Sequence, residues 1–477
     1  MLQAKVNRIC VLDSHWWPTD NLGSRLCLPR HNSTPPPRKV TVIPMPIGTS
    51  TRFSAFANFT KKIAKRFCGC EMSLALLFAL APNLPAQAQH FQMVYEFPLA
   101  KTGNDPSALL SAGGNFYGTT ANGGKGNVGT VFELSSTGVL TSLYSFNHNS
   151  TDGRNPTVGP LVRDKAGNLY GTTQKGGHQS CAWDAIHPGC GTVFKLSPTG
   201  QETILHSFTG APGDGANPLA GLTMDAAGNI FGTTEYGGSS GGPCSSAGCG
   251  TMYKITPAGV ETILYSFTGG ADGGWPVNVS LVADSAGNLY GTAGAGGALT
   301  CGNGAGCGVV FKIDPTGKET VLYAFTGGAS GVNPYAGLVR DSQGNLYGTT
   351  NWGGACEISS GCGVVFKVDP SGNETVLHAF SYTESGAGVN SSLVRDSAGN
   401  LYGTTFYGGS STLTDGSVFE VSSQGVYTLL HAFDQKDGIW PQAGLLRDSA
   451  GKLYGATSQG GIDSCNLGCG VIFKITP

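Results

Sequence analysis

The side chains best suited to catalysis lie in loops of this 477-residue chain. The segment HQSCAWDAIHPGC contains Trp183, Asp184 and His187, and Glu235 also departs from the repeat described below. An enzyme would need a converging acid and base, or a nucleophile beside its base. The spacing of these residues specifies no reaction, and the sequence has no phosphate-binding loop, metal-binding helix motif or nucleophile elbow. We therefore predict no catalytic residue and no cofactor.

Aromatic side chains in the loops are the better candidates for ligand binding. Trp275 and Trp440 lie in loops that share the pattern DGxxP, where other copies have small or polar residues, and Trp352 follows a short apolar segment. Aromatic rings beside Asp and Asn are typical of carbohydrate-binding surfaces, because the rings stack on sugar faces. Alternatively, the rings fill gaps between loops, and DGxxP itself is turn chemistry. The ligand-binding candidates are Trp183, Asp184, His187, Trp275, Trp352 and Trp440.

Cysteines are the other residues whose spacing carries chemistry. Ten of the fourteen lie after residue 88 as five local pairs, which in an exported chain predicts disulfide bonds. The pairs are Cys181/Cys190, Cys244/Cys249, Cys301/Cys307, Cys356/Cys362 and Cys465/Cys469. A Cys pair without a second pair or a histidine nearby does not complete a tetrahedral zinc site. We expect the disulfides to stiffen exposed hairpin tips, while the fold depends on no single one of them.

Metal sites are not predicted elsewhere either. An Asp precedes the turn in most repeats, and we expect it to accept hydrogen bonds from the turn backbone. One carboxylate per turn offers too few oxygens for calcium. Three histidines, His206, His378 and His431, replace the tyrosine of a repeated LYSF pattern, and we assign them to packing.

The sequence GNLYGTT at residues 167–173 returns at 344–350 and 399–405. A motif that recurs in this way indicates architecture, and a period of 52 to 61 residues is typical of repeat folds. The aromatic residue of the motif marks seven copies, at Tyr117, Tyr170, Phe231, Tyr290, Tyr347, Tyr402 and Tyr454. We expect its glycine to let neighbouring sheets approach closely and its aromatic ring to fill space between them.

Each copy contains four short apolar segments separated by turns, as in GLVRD, LYGTT, GVVFKVD and ETVLHAF, which we name strands A to D. Four strands repeated seven times predict an all-β fold, a seven-bladed β-propeller of four-stranded blades. The last copy stops after strand C, and FQMVYEF at residues 91–97 has the pattern of strand D. We predict that this N-terminal strand pairs with the C-terminal blade and closes the ring. The D-to-A and B-to-C loops then lie on one face, which is the expected binding surface.

The first 88 residues differ from the rest. Residues 1–60 lack periodicity and are expected to be a non-native or disordered leader. A basic patch at 61–66, an apolar run at 72–81 and an A-x-A site at 86–88 predict a signal peptide over 61–88, cleaved after Ala88. The apolar run is too short to span a bilayer. The propeller then occupies 89–477, without a membrane span, in a secreted or periplasmic protein.

Charge excludes one class of partner. Of 28 basic and 30 acidic residues, 11 and 3 lie in the leader, so residues 89–477 hold 17 basic and 27 acidic residues, a net charge near −10. Nucleic-acid binding depends on neutralising phosphates with basic residues. We therefore predict no nucleic-acid partner and disfavour polyanionic ligands.

The combined pattern DGxxP…GLVRDSAGNLYGTTxxGG…GCGVVFKxxPxGxETVLYAF resembles the GloVer tandem-repeat family of exported bacterial proteins, some of which are called choice-of-anchor proteins. The resemblance covers residues 90–477. It implies export and a repeat-built extracellular domain, and it brings no established activity. This sequence ends at Pro477 directly after strand C, without a sorting tail, so we expect secretion or periplasmic residence and not covalent surface display.

These observations predict a secreted, monomeric propeller that binds an extracellular glycan or protein on its loop face. One alternative is a polysaccharide-degrading enzyme, a lyase or glycosidase, on the same scaffold. Another is a structural component of the envelope or matrix. The fold alone does not decide among them.

Overall fold

The computed structural model describes residues 89–477 apart from 99–102, 149–150, 158, 179–180, 182–188, 240–243, 245–246, 278–279, 302–303, 355, 357–360, 383–384, 410–414, 462–464 and 466–467. The predicted leader and signal peptide lie outside these residues. Seven antiparallel sheets, each with strand order A-B-C-D, form the predicted seven-bladed β-propeller. Within the described ranges, no helix is long and apolar enough to cross a membrane.

The inner strands of each blade are A and B, and their bounds follow in order from blade 1 to blade 7. The A strands are Leu110–Ala112, Val162–Arg163, Thr223–Met224, Val282–Ala283, Val339–Arg340, Val394–Arg395 and Leu446–Arg447. The B strands are Asn115–Asn122, Leu169–Gly176, Ile230–Thr234, Leu289–Ala293, Leu346–Thr350, Leu401–Thr405 and Leu453–Thr457.

The outer strands are more regular in length. The C strands are Thr130–Leu134, Thr192–Leu196, Thr251–Ile255, Val309–Ile313, Val364–Val368, Ser417–Val421 and Val471–Thr476. The D strands are Leu140–Ser145, Glu202–Ser207, Glu261–Ser266, Glu319–Ala324, Glu374–Ala379, Tyr427–Ala432 and His90–Glu96. Short loop segments also pair, at Asn104–Pro106, Gly153–Pro156, Gly215–Ala216 and Tyr236–Gly237, and a single 3-10 turn spans Gly328–Ser330.

The N-terminal strand closes the ring as predicted. His90–Glu96 pairs antiparallel with Val471–Thr476, and Phe91 lies opposite Ile475. Both ends of the propeller chain therefore lie in blade 7, and strand C of that blade has a partner on each side. This arrangement leaves strand C without a free hydrogen-bonding edge.

Small residues just before strand A mark the centre of the ring. The amide of Gly337 in blade 5 donates to Ser392 Oγ of blade 6 at 3.0 Å. A Cβ placed on Gly337 would lie 2.8 Å from the carbonyl oxygen of Ser280 in blade 4. Because these segments contact both neighbours at close range, strands A lie nearest the axis and strands D lie outermost.

The core lies between blades and is built on aromatic pairs. The phenylalanine that follows each strand D packs against the aromatic residue of strand C in the next blade, with ring centroids 5.0 to 5.5 Å apart. The pairs are Phe97–Phe132, Phe146–Phe194, Phe208–Tyr253, Phe267–Phe311, Phe325–Phe366, Phe380–Phe419 and Phe433–Phe473. All of these rings are buried, and edge-on or tilted contacts of this kind stabilise the interface beyond simple burial.

The repeated LYGTT motif has a somewhat different role from the one expected. A Cβ on Gly171 would lie 2.6 Å from Phe194 Cζ and 2.7 Å from Leu161 Cδ2, both in its own blade. The glycine therefore makes room for the strand C phenylalanine of the same blade, and not for the neighbouring sheet. The tyrosine does lie between blades, as expected: the Arg163 guanidinium of blade 2 sits over the Tyr117 ring of blade 1 at 5.6 Å.

The turn aspartates accept backbone hydrogen bonds as predicted. Asp341 accepts from the Asn345 amide at 2.9 Å and from the Tyr347 hydroxyl at 3.0 Å. Partial burial acts to raise the pKa of Asp341, but the hydrogen bonds from Asn345 and Tyr347 outweigh it and lower the pKa. The carboxylate is therefore occupied in closing the A–B turn.

Candidate ligand-binding site

The D-to-A loops cross one face of the propeller, and each has a residue in the left-handed conformation at the same position. This residue is the one before the proline of DGxxP, or its equivalent, and its φ lies between 51° and 69°. The seven residues are Asp105, Asn155, Asn217, Trp275, Asn333, Gly388 and Trp440. Each amide donates at 2.8 to 3.3 Å to a carbonyl just before strand C of the preceding blade.

The disulfide bonds support this arrangement. All five predicted cysteine pairs are joined by disulfides, and each lies in a B-to-C loop. In those five blades, the carbonyl that accepts the bond from the left-handed residue belongs to the second cysteine of the pair, at Cys190, Cys249, Cys307, Cys362 and Cys469. In the other two blades the acceptors are Val128 and Asp415. The hydrogen bond is thus common to all seven blades, and in five of them its acceptor residue is also joined to a disulfide.

A second set of positions completes the surface. The residue that follows the LYGTT motif lies beside the left-handed residue of its own blade, and Glu235, for example, donates its amide to the Asn217 carbonyl at 3.1 Å. These residues are Ala121, Gln174, Glu235, Gly294, Asn351, Phe406 and Ser458. We call the two sets of seven residues together the loop-face ring.

Side chains connect the loop-face ring from blade to blade. Asn333 Nδ2 donates to the Gly294 carbonyl of the preceding blade at 2.7 Å. Asn155 makes the same contact with Ala121 at 3.1 Å. Where tryptophan replaces asparagine, the indole of Trp440 stacks on Phe406 of the preceding blade, with centroids 5.7 Å apart and planes 11° apart.

Trp275 and Trp440 are conformational outliers at these positions. A positive φ suits Gly, Asn and Asp, whereas for a bulky side chain it is uncommon and unfavourable. Asn217 and Asn333 adopt φ values of 59° and 56° at equivalent positions, compared with 53° for Trp275 and 58° for Trp440. Both indoles are half-buried, more buried than the exposed rings expected from the sequence. Trp275 packs against the buried cluster that includes Cys244 and Cys249, and its buried Nε1 has no hydrogen-bond partner among the described residues.

Glu235 is the most deeply buried acid of the loop-face ring, with 8% of its surface exposed. Its carboxylate accepts hydrogen bonds from the side chains of Asn217 and Tyr236. Burial raises the pKa of Glu235 to about 7, despite these two donors. Burial and the Glu235 charge also raise the pKa of Tyr335, which lies two residues after Asn333. Asn217, Glu235, Tyr236 and Tyr335 therefore form a cluster in which burial raises the pKa of the carboxyl.

The opposite side of the loop-face ring has one acid, Asp105, and one place, at Gly388, where the side-chain contacts between blades are interrupted. Burial alone raises the pKa of Asp105 to about 7. Gly388 has no side chain to bond Asn351 of the preceding blade, and a Cβ there would lie 3.6 Å from Asn351 Oδ1. That buried oxygen has no partner among the described residues. An unpaired buried acceptor of this kind usually has a functional or structural reason.

The structure separates the candidates named from the sequence. Trp275 and Trp440 occupy equivalent positions in one ring. Trp352 lies one residue beyond it and pairs through its backbone with Val332, at the position that Tyr407 takes in the next blade. Trp183, Asp184 and His187 lie outside the described residues.

Sequence reasoning did not single out the ring itself. Its signal was present in the residue after the LYGTT motif, which changes from copy to copy while the motif itself is nearly constant. Asn351, Phe406 and Tyr335 therefore went unremarked, and Glu235 was considered only as an acid or base. The left-handed conformation, which unites the other seven positions, is visible only in the backbone.

Solved structures with a similar fold are distant. The extracellular domain of a putative one-component system from B. thetaiotaomicron has a TM-score of 0.48 and 12% identity, covering 81% of this chain and 40% of that one. A putative 6-phosphogluconolactonase from Bacteroides uniformis has a TM-score of 0.44 and 16% identity, covering 74% and 89%. The present chain thus spans 40% of the length of the first of these. Similarity at this level says nothing about ligand or activity.

The repeat itself matches a family model. Three overlapping matches to the Gloeobacter/Verrucomicrobia repeat cover residues 76–242, 181–355 and 302–477. No curated protein matches the sequence. The repeat matches cover every blade and confirm the resemblance to GloVer proteins. The protein belongs to the Gloeobacter/Verrucomicrobia repeat family.

Proposed function

We propose that this protein recognises an extracellular carbohydrate on the loop-face ring. The observation that carries the proposal is the pair of tryptophans in the left-handed conformation. Each costs about 1–2 kcal/mol relative to a residue that tolerates positive φ, and asparagine serves the fold at equivalent positions. Strained side chains of this kind concentrate at functional sites. Tryptophan offers a large flat face for a sugar, which asparagine does not.

The chemistry of the other ring positions favours a neutral glycan. None of the fourteen positions is Lys, Arg or His, and two are acids, Asp105 and Glu235. A uronic-acid polymer would meet no counter-charge there. Asparagine, glutamine and serine side chains at six further positions are suited to hydroxyl groups.

Location outside the cytoplasm is part of the proposal. Five disulfides in one domain are typical of proteins from oxidising compartments. The predicted signal peptide at 61–88 would direct the chain there. We propose that it acts as a secreted or periplasmic monomer.

The test measures retention of the purified, disulfide-bonded protein on neutral and acidic polysaccharides. Trp275→Asn and Trp440→Asn should each reduce affinity for a neutral glycan at least about tenfold, the equivalent of 1.4 kcal/mol. Their melting temperatures should stay level or rise, since asparagine relieves the backbone strain. Trp352→Tyr is the matched control and should bind normally, because tyrosine occupies the equivalent positions 236 and 407. Absence of retention on every neutral glycan, or full retention by both Asn variants, would refute the proposal.

A polysaccharide-degrading enzyme is the second candidate, and Glu235 is the observation that favours it. A buried carboxyl with a pKa raised to about 7 is suited to general acid catalysis near neutral pH. The same assay therefore also measures the release of reducing ends and unsaturated products. We expect retention without products, and product release abolished by Glu235→Gln would establish the enzyme instead.

A further inference from the structure

The outer part of the propeller has a polar cluster between neighbouring blades. It combines the aromatic residue near the end of strand D, the Asp of DGxxP and the Glu that begins strand D of the next blade. Between blades 1 and 2, the Tyr144 hydroxyl lies 3.2 Å from Asp152 Oδ2 and 3.4 Å from Glu202 Oε2. The hydroxyl proton of Tyr144 therefore lies between two carboxylates.

The cluster between blades 2 and 3 has a histidine in place of that tyrosine. His206 Nε2 lies 3.3 Å from Asp214 Oδ2, and one ligand atom from each of His206, Asp214 and Glu261 lies within 4.8 Å of the others. The side chains of His206 and Asp214 remain 20% and 15% exposed, so solvent reaches them. Within the described part of the chain, this is the one group of three potential metal ligands at such range.

Two other blades have a histidine at the position equivalent to His206, but these histidines do not have both acids beside them. His431 lies 2.9 Å from Asp437, but Phe91 takes the place of the glutamate and stacks on the imidazole at 3.9 Å. His378 stacks on Tyr427 at 4.6 Å instead of facing a carboxylate. Only His206 therefore has both acids beside it.

We propose that His206, Asp214 and Glu261 bind a divalent first-row transition-metal ion. One imidazole nitrogen with two carboxylate oxygens is a donor set typical of zinc and its neighbours. Calcium and magnesium prefer oxygen donors throughout. Metal bonds of about 2.0–2.2 Å require only a modest closing of the three side chains, and they leave positions open for water.

Electrostatics support a cation at this place. No lysine or arginine forms an ion pair with Asp214 or Glu261 in the described ranges. Glu261 Oε1 is buried without a hydrogen-bond partner there, as are Glu202 Oε1, Glu319 Oε1 and Glu374 Oε1 at equivalent positions. Those three clusters contain a tyrosine, at Tyr144, Tyr265 and Tyr323. His206 supplies a metal ligand instead, and so the cation fits this cluster and not the others. The sequence analysis, which assigned His206 to packing, predicted no metal site.

The repeat offers its own control variants. His206→Tyr recreates the Tyr–Asp–Glu cluster of blades 1 and 2, so it should fold normally. Tyr265→His places an imidazole beside Asp272, which its hydroxyl now contacts at 3.0 Å, and near Glu319. The first variant should lose the site and the second should create another.

The experiment is equilibrium dialysis of the untagged, chelator-treated protein against Zn²⁺ and Co²⁺, with bound metal counted by mass spectrometry. We expect one ion per chain, a Co²⁺ absorption spectrum that disappears in His206→Tyr, and at least about a tenfold loss of affinity in that variant. Tyr265→His should bind two ions. Asp214→Asn checks the result independently and should also lose the ion. A wild-type protein without bound metal, or His206→Tyr with undiminished binding, would overturn the proposal.

Discussion

Equivalent positions of the repeat allow single residues to be compared within one molecule. Tyr253 is fully buried and its hydroxyl has no described partner, whereas the other six blades have phenylalanine there. Leaving a buried hydroxyl unpaired costs about 1–3 kcal/mol. Trp275 and Glu235 likewise lower the stability of the folded state, compared with the residues at the equivalent positions of other blades. The fold alone therefore does not require these side chains, and in the ring they coincide with the proposed site.

Glu235 should make stability depend on pH. Its pKa is raised from the ordinary value of 4.5 to about 7, so the folded state holds a proton that the unfolded state releases. The contribution of Glu235 to the free energy of unfolding is fully present below pH 4.5 and is lost as the pH rises through 7. At 1.36 kcal/mol per pKa unit, the loss is about 3 kcal/mol. Glu235→Gln, which cannot ionise, should therefore be more stable than the wild type at pH 8 and nearly equal at pH 4.

The measurement is denaturant unfolding of both proteins at several pH values. Burial also raises the pKa of Asp105 and Glu319 to about 7, so the wild-type curve alone sums several groups. The difference between wild type and Glu235→Gln isolates the one carboxyl. A difference that does not change between pH 4 and pH 8 would show that Glu235 is ionised normally.

At the scale of elements, five of the seven loops of the binding face donate a hydrogen bond to the backbone carbonyl of a disulfide-bonded cysteine. The Trp275 amide donates to the Cys249 carbonyl at 2.8 Å, and the Asp105 amide donates to the Cys469 carbonyl at 3.2 Å. A disulfide that closes a loop this short contributes about 2 kcal/mol in the chain-entropy model. The cysteine carbonyl also holds the D-to-A loop of the next blade in position. We therefore expect loss of the disulfide to change the position of that loop as well as the stability of the protein.

Removal of Cys244–Cys249 by a double change to alanine should therefore weaken glycan binding as well as stability. We expect about 2 kcal/mol less stability, with several-fold weaker retention as Trp275 loses its support. Removal of Cys465–Cys469 should lower the free energy of unfolding by a similar amount and leave glycan retention nearly unchanged. The residue bonded to the Cys469 carbonyl is Asp105, and not a tryptophan. Both are measured by denaturant unfolding and glycan retention. Equal loss of retention in the two variants would contradict a specific role for the first disulfide.

At the scale of the whole molecule, the fold follows from periodicity. Six copies of four strands, a last copy of three and a separate strand D at residues 91–97 sufficed to predict the propeller and its closure. The site was harder to predict, because it depends on a backbone torsion and on contacts between blades about 55 residues apart in sequence. Trp275 and Trp440 were found as exceptions to a pattern. Glu235 and Tyr335 came together only once the blades were placed in a ring.

The closing strand should decide whether the ring remains a single folded unit. Deleting residues 90–97 removes the buried Phe97 that packs on Phe132, and it exposes the edge of Val471–Thr476. The lost phenylalanine alone costs about 3–5 kcal/mol, and a bare central strand invites pairing with another chain. We expect a lower melting temperature and self-association, measured by unfolding and light scattering. The control moves residues 90–97 behind Pro477 through the turn TGQ, which the chain uses at 199–201, and should restore a stable monomer. A deletion variant that stays monomeric and melts like the wild type would show that the ring does not depend on this closure.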